Sequence, residues 1–409
     1  MKEKNVIMIA SVFPPEPVVS AIIAGDVANE LSKRYNVTVL CPKSSRPLGF
    51  KFDRNMETEA EKPYKRITLD SYVFPESKLI GRFIEILSMG KHAVKYLKEH
   101  HKEVDLIYNA PWPLFGRYMV ALTARKYNIP YITPVQDLYP EALLAKIPKW
   151  RWFQWMVLKL LSPFDRVTLR NAAKVYTISD KMKAYLMKTR GMDENRFVVV
   201  RHWQDEEIFI KYHEEHHGRK KEEAPFTFMY CGNIGPLAGI ELVIDAFAKA
   251  DISNTRLIIA GSGSAKEGLQ KRAMLYPGSN IQFMEVPNGK VPDIQDKADV
   301  MVLPVKKGFS ASSVPSKLPA YMLSAKPVIA CVDFDSDTAL CIAEGKCGWT
   351  IEPENIEMLV DSLNKAIKMD EKELQEMGQN GFNYAMANFS RKNNFPKLCK
   401  VYEDILENS

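Results

Sequence analysis

The sequence predicts an α/β protein built from two doubly wound domains, each a parallel sheet wrapped by helices, facing one another across a cleft. Two observations carry this. Short β-branched runs alternate with helix-length amphipathic segments, once in each half of the chain. Between the two series lies a charged stretch that breaks the pattern. The 409 residues exceed one ordinary core, and a hydrophobic content of 46% is that of a globular protein.

The opening run MKEKNVIMIA breaks at Pro14, far short of the ~20 residues a bilayer span needs and without a small-residue cleavage site. It reads as a first buried strand. In VSAIIAGDVANELSKRY, Val19, Ile23, Val27 and Leu31 recur every fourth residue, one stripe against a sheet. NVTVLCP, DLIYNA, YITPVQD and KVYTIS read as further strands. The helical segment KLIGRFIEILSMGKHAVKYLKEHH offers Leu87, Val94 and Leu97 as a core stripe.

Residues 203–224, WQDEEIFIKYHEEHHGRKKEEA, have no sustained apolar face and read as an interdomain connection. The second series follows: FTFMYCG, a helix through GIELVIDAFAKA, RLIIAGSGS, a helix through KEGLQKRAM, IQFMEV, DVMVLPV, a helix over KLPAYMLSA, and PVIACV. Phe395, Leu398, Tyr402 and Ile405 share one face of a terminal helix. The expected boundaries are 1–205, a linker at 206–224, 225–388, and a helix at 389–409 that crosses back to the first domain.

The formal net charge of +6 divides into +12 for residues 1–200 and −6 for residues 201–409. A basic half fits nucleic acid or anionic lipid. No nucleic-acid recognition module is present, and the aromatics cluster with aliphatics, so nucleic acid is not expected as a partner. Cys41, Cys231, Cys331, Cys341, Cys347 and Cys399 show no CxxC pair or regular disulfide spacing, which fits free thiols in the cytoplasm.

Gly232, Gly235 and Gly239 crowd a strand-to-helix turn, a place where backbone N–H groups suit a diphosphate. A tight turn alone also explains them. Gly261 and Gly263 repeat the pattern, but Lys266 stands where the dinucleotide fingerprint has its third glycine, so NAD and FAD are not indicated. In residues 298–330, ADVMVLPVKKGFSASSVPSKLPAYMLSAKPVIA, a buried strand empties into a basic serine-rich loop that starts a helix after Pro315-Ser316. Lys306, Lys307 and Lys317 there either face one anion or form a solvated loop.

Taken in order, SVFPPEPVVSA, VQDLYPEAL at 135–143, YCGNIGPLAGIELVIDAF, IIAGSGS, ADVMVLPV and PSKLPAYMLSAKPVIA resemble the family 4 glycosyltransferases of the GT-B fold. The bacterial deoxy-aminosugar transferases of O-antigen and capsule assembly are the nearest in kind, and the resemblance spans nearly the whole chain. It implies two Rossmann-like domains and a nucleotide sugar, UDP-linked, as donor on the C-terminal one. The diphosphate would lie near Gly232, Asn233, Gly235, Gly261, Gly263 and Lys306 and the loop holding Ser313, Ser316 and Lys317, with the base near Val286 and Pro287. A lipid-linked saccharide acceptor would meet Pro15, Glu16 and Ser20. Asp137 lies where the family keeps a polar residue at the anomeric carbon, so Asp137 and Lys317 are the catalytic candidates. The resemblance implies retention of configuration without a metal or other cofactor. Ser312 and Ala320 depart from the family's usual glutamates, and Asn233 and Ala238 from its usual Arg and Lys, so charge neutralisation falls to Lys306, Lys307 or Lys317.

Residues 146–170 interleave Trp150, Trp152, Phe153 and Trp155 with Lys146, Lys149, Arg151 and Lys159, a composition that suits an anionic headgroup interface at the inner face of the cell membrane. Ordinary helices with solvated outer faces are the alternative. HEEHH at 213–217 matches the zinc-protease pattern His213-Glu214-x-x-His217, yet sits in a run of charges without a third ligand, and no metal is expected there. A nucleotide-sugar epimerase of the same fold and a non-catalytic nucleotide-sugar-binding scaffold are the competing functions.

Overall fold

The structure, a computed structural model, describes residues 4–46, 62–74, 79–110, 114–216, 224–250, 252–287, 289–307 and 314–407. Met1–Val200 with Pro396–Ser409 form one compact unit and Arg201–Phe395 the other.

Among the described residues, the first unit holds strands β1 (Asn5–Ile9), β2 (Asn36–Pro42), β3 (Lys65–Leu69), β4 (Leu106–Asn109), β5 (Tyr131–Val135), β6 (Lys174–Thr177) and β7 (Phe197–Val199). They form one parallel sheet in the order β3-β2-β1-β4-β5-β6-β7. The second unit holds β8 (Phe226–Cys231), β9 (Thr255–Ala260), β10 (Ile281–Met284), β11 (Val300–Pro304), β12 (Val328–Cys331) and β13 (Gly348–Ile351), also parallel, in the order β10-β9-β8-β11-β12-β13. Both are doubly wound α/β sheets of the expected kind.

The central strands are apolar on both faces because helices cover both. In β8, Met229 and Cys231 join one core with Leu318, Tyr321 and Leu323, while Phe228 and Tyr230 join another with Ile240, Val243 and Leu363. The period of two along the strand thus sorts alternate side chains into two cores.

Helix Val19–Leu31 buries Ile23, Val27 and Leu31 as its spacing predicts. Helix Leu79–His100 buries Ile86, Met89, Ala93 and Leu97, with Leu87 and Val94 only half-buried, so its core stripe is rotated from the expected one. Residues 207–216, read as part of a charged connection, form a helix. One apolar anchor suffices: Phe209 is buried in the second unit's core, Tyr212 donates to Asp296 Oδ2 at 3.0 Å, and His213 Nε2 lies 2.8 Å from the Leu323 carbonyl. The terminal helix Arg391–Glu407 places Tyr402 6.2 Å from Tyr108, ring to ring, within the first unit.

Candidate functional site

In a doubly wound sheet, ligands sit beyond the carboxyl ends of the strands where the strand order reverses. In the second unit that point lies between β8 and β11. The register between them runs only through Phe228↔Val300 and Met229↔Met301, so the two strands part before they end.

Three loops and the starts of two helices meet there. Gly232 follows β8 at φ +148°, a conformation that side chains rarely adopt, and a Cβ on it would lie 2.6 Å from Lys317 Cε. The loop after β9 lies back to back with the loop after β8: a Cβ on Gly261 would stand 2.0 Å from the Gly232 carbonyl oxygen, and Ile234 N–H donates to Ser262 O at 2.8 Å. Gly263 meets the Ile234 carbonyl in the same way, and Gly235 stands beside the Asn233 side chain. Gly239 then opens helix Ile240–Lys249, whose first amides have no side-chain cap, and the Lys306 amide nitrogen lies 3.6 Å from its Cβ position.

Lys317 begins helix Lys317–Leu323, with its stem across Gly232 and its Nζ 5.6 Å from the Tyr230 ring centroid. Burial pushes its pKa down, which the neighbouring Cys231 partly offsets. No carboxylate lies within ion-pair distance of it among the described residues. A half-buried ammonium of this kind is costly until an anion arrives. Tyr321, one turn on, is fully buried and grips the backbone of Cys231. Gln204 Nε2 donates to the carbonyl of Ser316, itself exposed and making no side-chain cap bond.

The three lysines do not converge. Lys306 Nζ lies 3.9 Å from Glu241, on the first turn of the helix that Gly239 opens, while Lys307 pairs with Glu352 at 3.4 Å. Lys266, in the third-glycine position, is bonded to Glu285 and to the Gly261 carbonyl. Val286 packs on the core beside this edge and Pro287 is exposed. Ser312 and Ser313 lie outside the described residues, and Ala320 is buried in the core. His217 of the HEEHH string is also outside them, and the described residues contain no group of three metal-ligating side chains.

In the first unit the order reverses between β1 and β4, where Ile9, Ser11, Asn109 and Gly116 line a small cavity. The loop after β1 carries Pro15 and Glu16. Glu16 is buried, and its Oε1 accepts the amides of Ser45 at 2.6 Å and Arg46 at 3.0 Å; burial raises its pKa against those bonds. Ser20 Oγ donates to Gln136 Oε1 at 3.0 Å, tying the start of helix Val19–Leu31 to the loop after β5 that holds the exposed Asp137. Behind Asp137, Arg190 is buried and bonds Glu141 through both terminal nitrogens, Asp165 Oδ2 at 2.7 Å and the Tyr139 carbonyl at 2.9 Å.

Backbone amides at glycine turns, with a partly desolvated cation among them, suit a diphosphate and the charge that grows on it when a bond to it breaks. Two family profiles match the chain: Glycosyltransferase Family 4 over residues 21–207 and Glycosyl transferases group 1 over residues 212–384. The chain belongs to the family 4 glycosyltransferases. This family 4 enzyme is 22% identical over 361 residues to the probable glycosyltransferase WbjE of Pseudomonas aeruginosa, covering 83% of this chain and 85% of that one. It is 24% identical over 293 residues to the putative colanic acid biosynthesis glycosyl transferase WcaI of Escherichia coli K12, covering 69% and 72%. Anabaena Alr3699/HepE, whose structure is in complex with UDP, shares the fold at a TM-score of 0.69 and 14% identity, covering 98% of this chain and 100% of that one.

Proposed function

We propose that this family 4 glycosyltransferase moves a sugar from a UDP-sugar, with retention of configuration, to a lipid-linked saccharide during surface polysaccharide assembly at the cytoplasmic face of a membrane. A deoxy-aminosugar is the proposed donor class. The observation that carries the reading is Lys317, half-buried, without a carboxylate partner among the described residues and laid across Gly232 at the switch point of the second sheet. The colanic-acid role in the name of WcaI and the UDP in the HepE complex support the pathway and the nucleotide.

In this reading the glycine turns of residues 232–235 and 261–263 and the Lys317 ammonium hold the UDP diphosphate. As the bond from the anomeric carbon to the phosphate oxygen breaks, negative charge moves onto that oxygen and the sugar becomes oxocarbenium-like. Lys317 interacts more strongly with the leaving diphosphate than with the intact donor, which lowers the barrier. Ser316 and Lys306 border the diphosphate, Val286 and Pro287 the uracil. On the first unit Pro15, Glu16 and Ser20 shape the acceptor loop, and Asp137 addresses the sugar at the anomeric side.

The test is acceptor-dependent UDP release from UDP-N-acetyl-deoxysugars, with a polyprenyl-diphosphate-linked saccharide as acceptor. A transferase releases UDP and extends the saccharide. Conversion of the nucleotide sugar without acceptor would identify an epimerase instead, and binding without turnover a scaffold.

A further inference from the structure

Helix Arg151–Asn171 has no buried side chain before Asp165. Up to residue 160 its exposed positions come in pairs every fourth residue: 151 and 152, 155 and 156, 159 and 160. They are therefore one stripe. On a water-facing stripe polar residues belong, yet here Trp152 is 64% exposed, Trp155 62%, Met156 42% and Leu160 66%. Trp150, just before the helix, is 62% exposed and stacks on Trp152 with centroids 6.3 Å apart. The segment is apolar inward as well, at the half-buried Phe153, Val157, Leu158 and Leu161, so Trp152, Trp155, Met156 and Leu160 are apolar surface beyond what its packing uses.

The cations are interleaved with it. Lys149, Arg151, Lys159, Arg166 and Arg170 are exposed, and Lys159 Nζ sits 4.7 Å above the Trp155 ring. No acidic residue occurs between Glu141 and Asp165. An exposed Trp–Met–Leu stripe framed only by positive charge is complementary to one surface above others: the acyl boundary of a bilayer with anionic headgroups, where indole rings settle and lysine stems reach up to phosphate. The start of helix Leu79–His100 adds Ile80, 78% exposed, and Ile84, 48% exposed; Phe83 beside them packs edge-on against Phe115 at 5.5 Å, and Phe115 against Phe164 at 5.1 Å. No helix among the described residues is long and apolar enough to cross a membrane.

We propose that residues 149–163 lie in the plane of an anionic bilayer, with Trp152, Trp155, Met156 and Leu160 inserted below the headgroups and Lys149, Arg151 and Lys159 at phosphate level. The proposal deepens the reading of a lipid-linked acceptor by naming the surface that brings the enzyme to it. The binding itself depends only on this helix face.

The experiment is co-sedimentation of the full chain with phosphatidylcholine vesicles, with and without about 30 mol % phosphatidylglycerol. It is repeated with Trp152→Ser/Trp155→Ser/Leu160→Ser and, separately, Lys149→Gln/Arg151→Gln/Lys159→Gln. The expected result is binding to the anionic vesicles, weakened at least about tenfold by the apolar triple variant. The charge variant should bind anionic and neutral vesicles alike. Both variants keep the melting temperature of the parent, because the replaced side chains face outward, and both keep stabilisation by UDP. Wild-type binding by the apolar variant, or no binding by the parent, overturns the proposal. So does a dimer of the parent that this variant dissolves while vesicles bind neither. No stabilisation of the parent by UDP, with its vesicle binding intact, would count against the transferase reading and leave this one standing.

Discussion

The phenolic oxygen of Tyr321 accepts the N–H of Cys231 at 2.9 Å and donates to the C=O of the same residue at 2.7 Å. It thereby replaces a strand neighbour: β11 has left β8 after Met229↔Met301, so Cys231 has no backbone partner on that side. The crevice exists because the strands part, and one side chain satisfies the groups they leave behind.

Tyr321→Phe should therefore act on both stability and chemistry. Stranding a buried N–H and C=O costs about 1–3 kcal/mol, to be seen as a lower urea midpoint at unchanged m-value. Because Tyr321 and Lys317 share one short helix, kcat should fall more than KM rises. Equal kcat in variant and parent would reduce Tyr321 to a packing residue.

Lys317→Ala should slow sugar transfer by about 100- to 1,000-fold, the ~2.7–4 kcal/mol typical of a lost donor aimed at developing negative charge. Gly232→Ala should do similar damage from the other side, since its Cβ would stand 2.6 Å from Lys317 Cε at a φ of +148°. Single-turnover rates with saturating donor separate these effects from product release. A normal rate in Lys317→Ala removes this residue from the mechanism.

Arg190→Met should be the costliest single change in the first unit. It leaves the half-buried Glu141 without its cation and Asp165, 5% exposed, with only the charge of the buried Arg117, a loss of about 3–5 kcal/mol where one partner of a buried pair is removed. The turn at Tyr139 and Pro140 loosens with it, so acceptor KM should rise while donor KM stays. Urea titration and steady-state kinetics check the two parts.

Glu16→Gln should alter the pH dependence of stability. Burial raises the Glu16 pKa in the fold, against the amides of Ser45 and Arg46 and the charge of Arg46. Ionisation is then harder in the folded than in the unfolded chain. The parent loses stability as pH rises from the ordinary carboxylate value, about 4.3, through the raised folded value, and is level above it. The glutamine variant keeps an amide oxygen for Ser45 and Arg46 and lacks this loss. Urea midpoints from acid to neutral pH should show the gap between variant and parent moving in the variant's favour across that window, and a constant gap would contradict it.

Much of the fold was legible because the inner strands are apolar on both faces: VIMI, TVLC, FMYC, VMVLP and VIAC read as strands without help. Of the four edge strands, only β10, within IQFMEV, was read. β3 (KRITL), β7 (FVV) and β13 (GWTI) each border one strand only and are largely half-buried or exposed, so they carry no continuous apolar run. At the site, glycines spaced at a turn and a lysine after Pro-Ser can be read locally. Nothing in the sequence singles out Tyr321, among its apolar neighbours, or Arg190, near a helix end. Their partners lie 90 and 49 residues away, and no local pattern encodes such a pairing.

The central claim is that Lys317 and the glycine turns of the second unit hold the diphosphate of a nucleotide sugar. The direct measurement is thermal stabilisation by UDP, GDP, ADP and dTDP, made on the parent and on Lys317→Ala. A ligand of the native state adds about 2.7 kcal/mol at a concentration one hundred times its Kd. The account predicts a clear rise in melting temperature with UDP above the other three, largely lost in the variant. No shift with any nucleotide, or a UDP shift of equal size in Lys317→Ala, would contradict it.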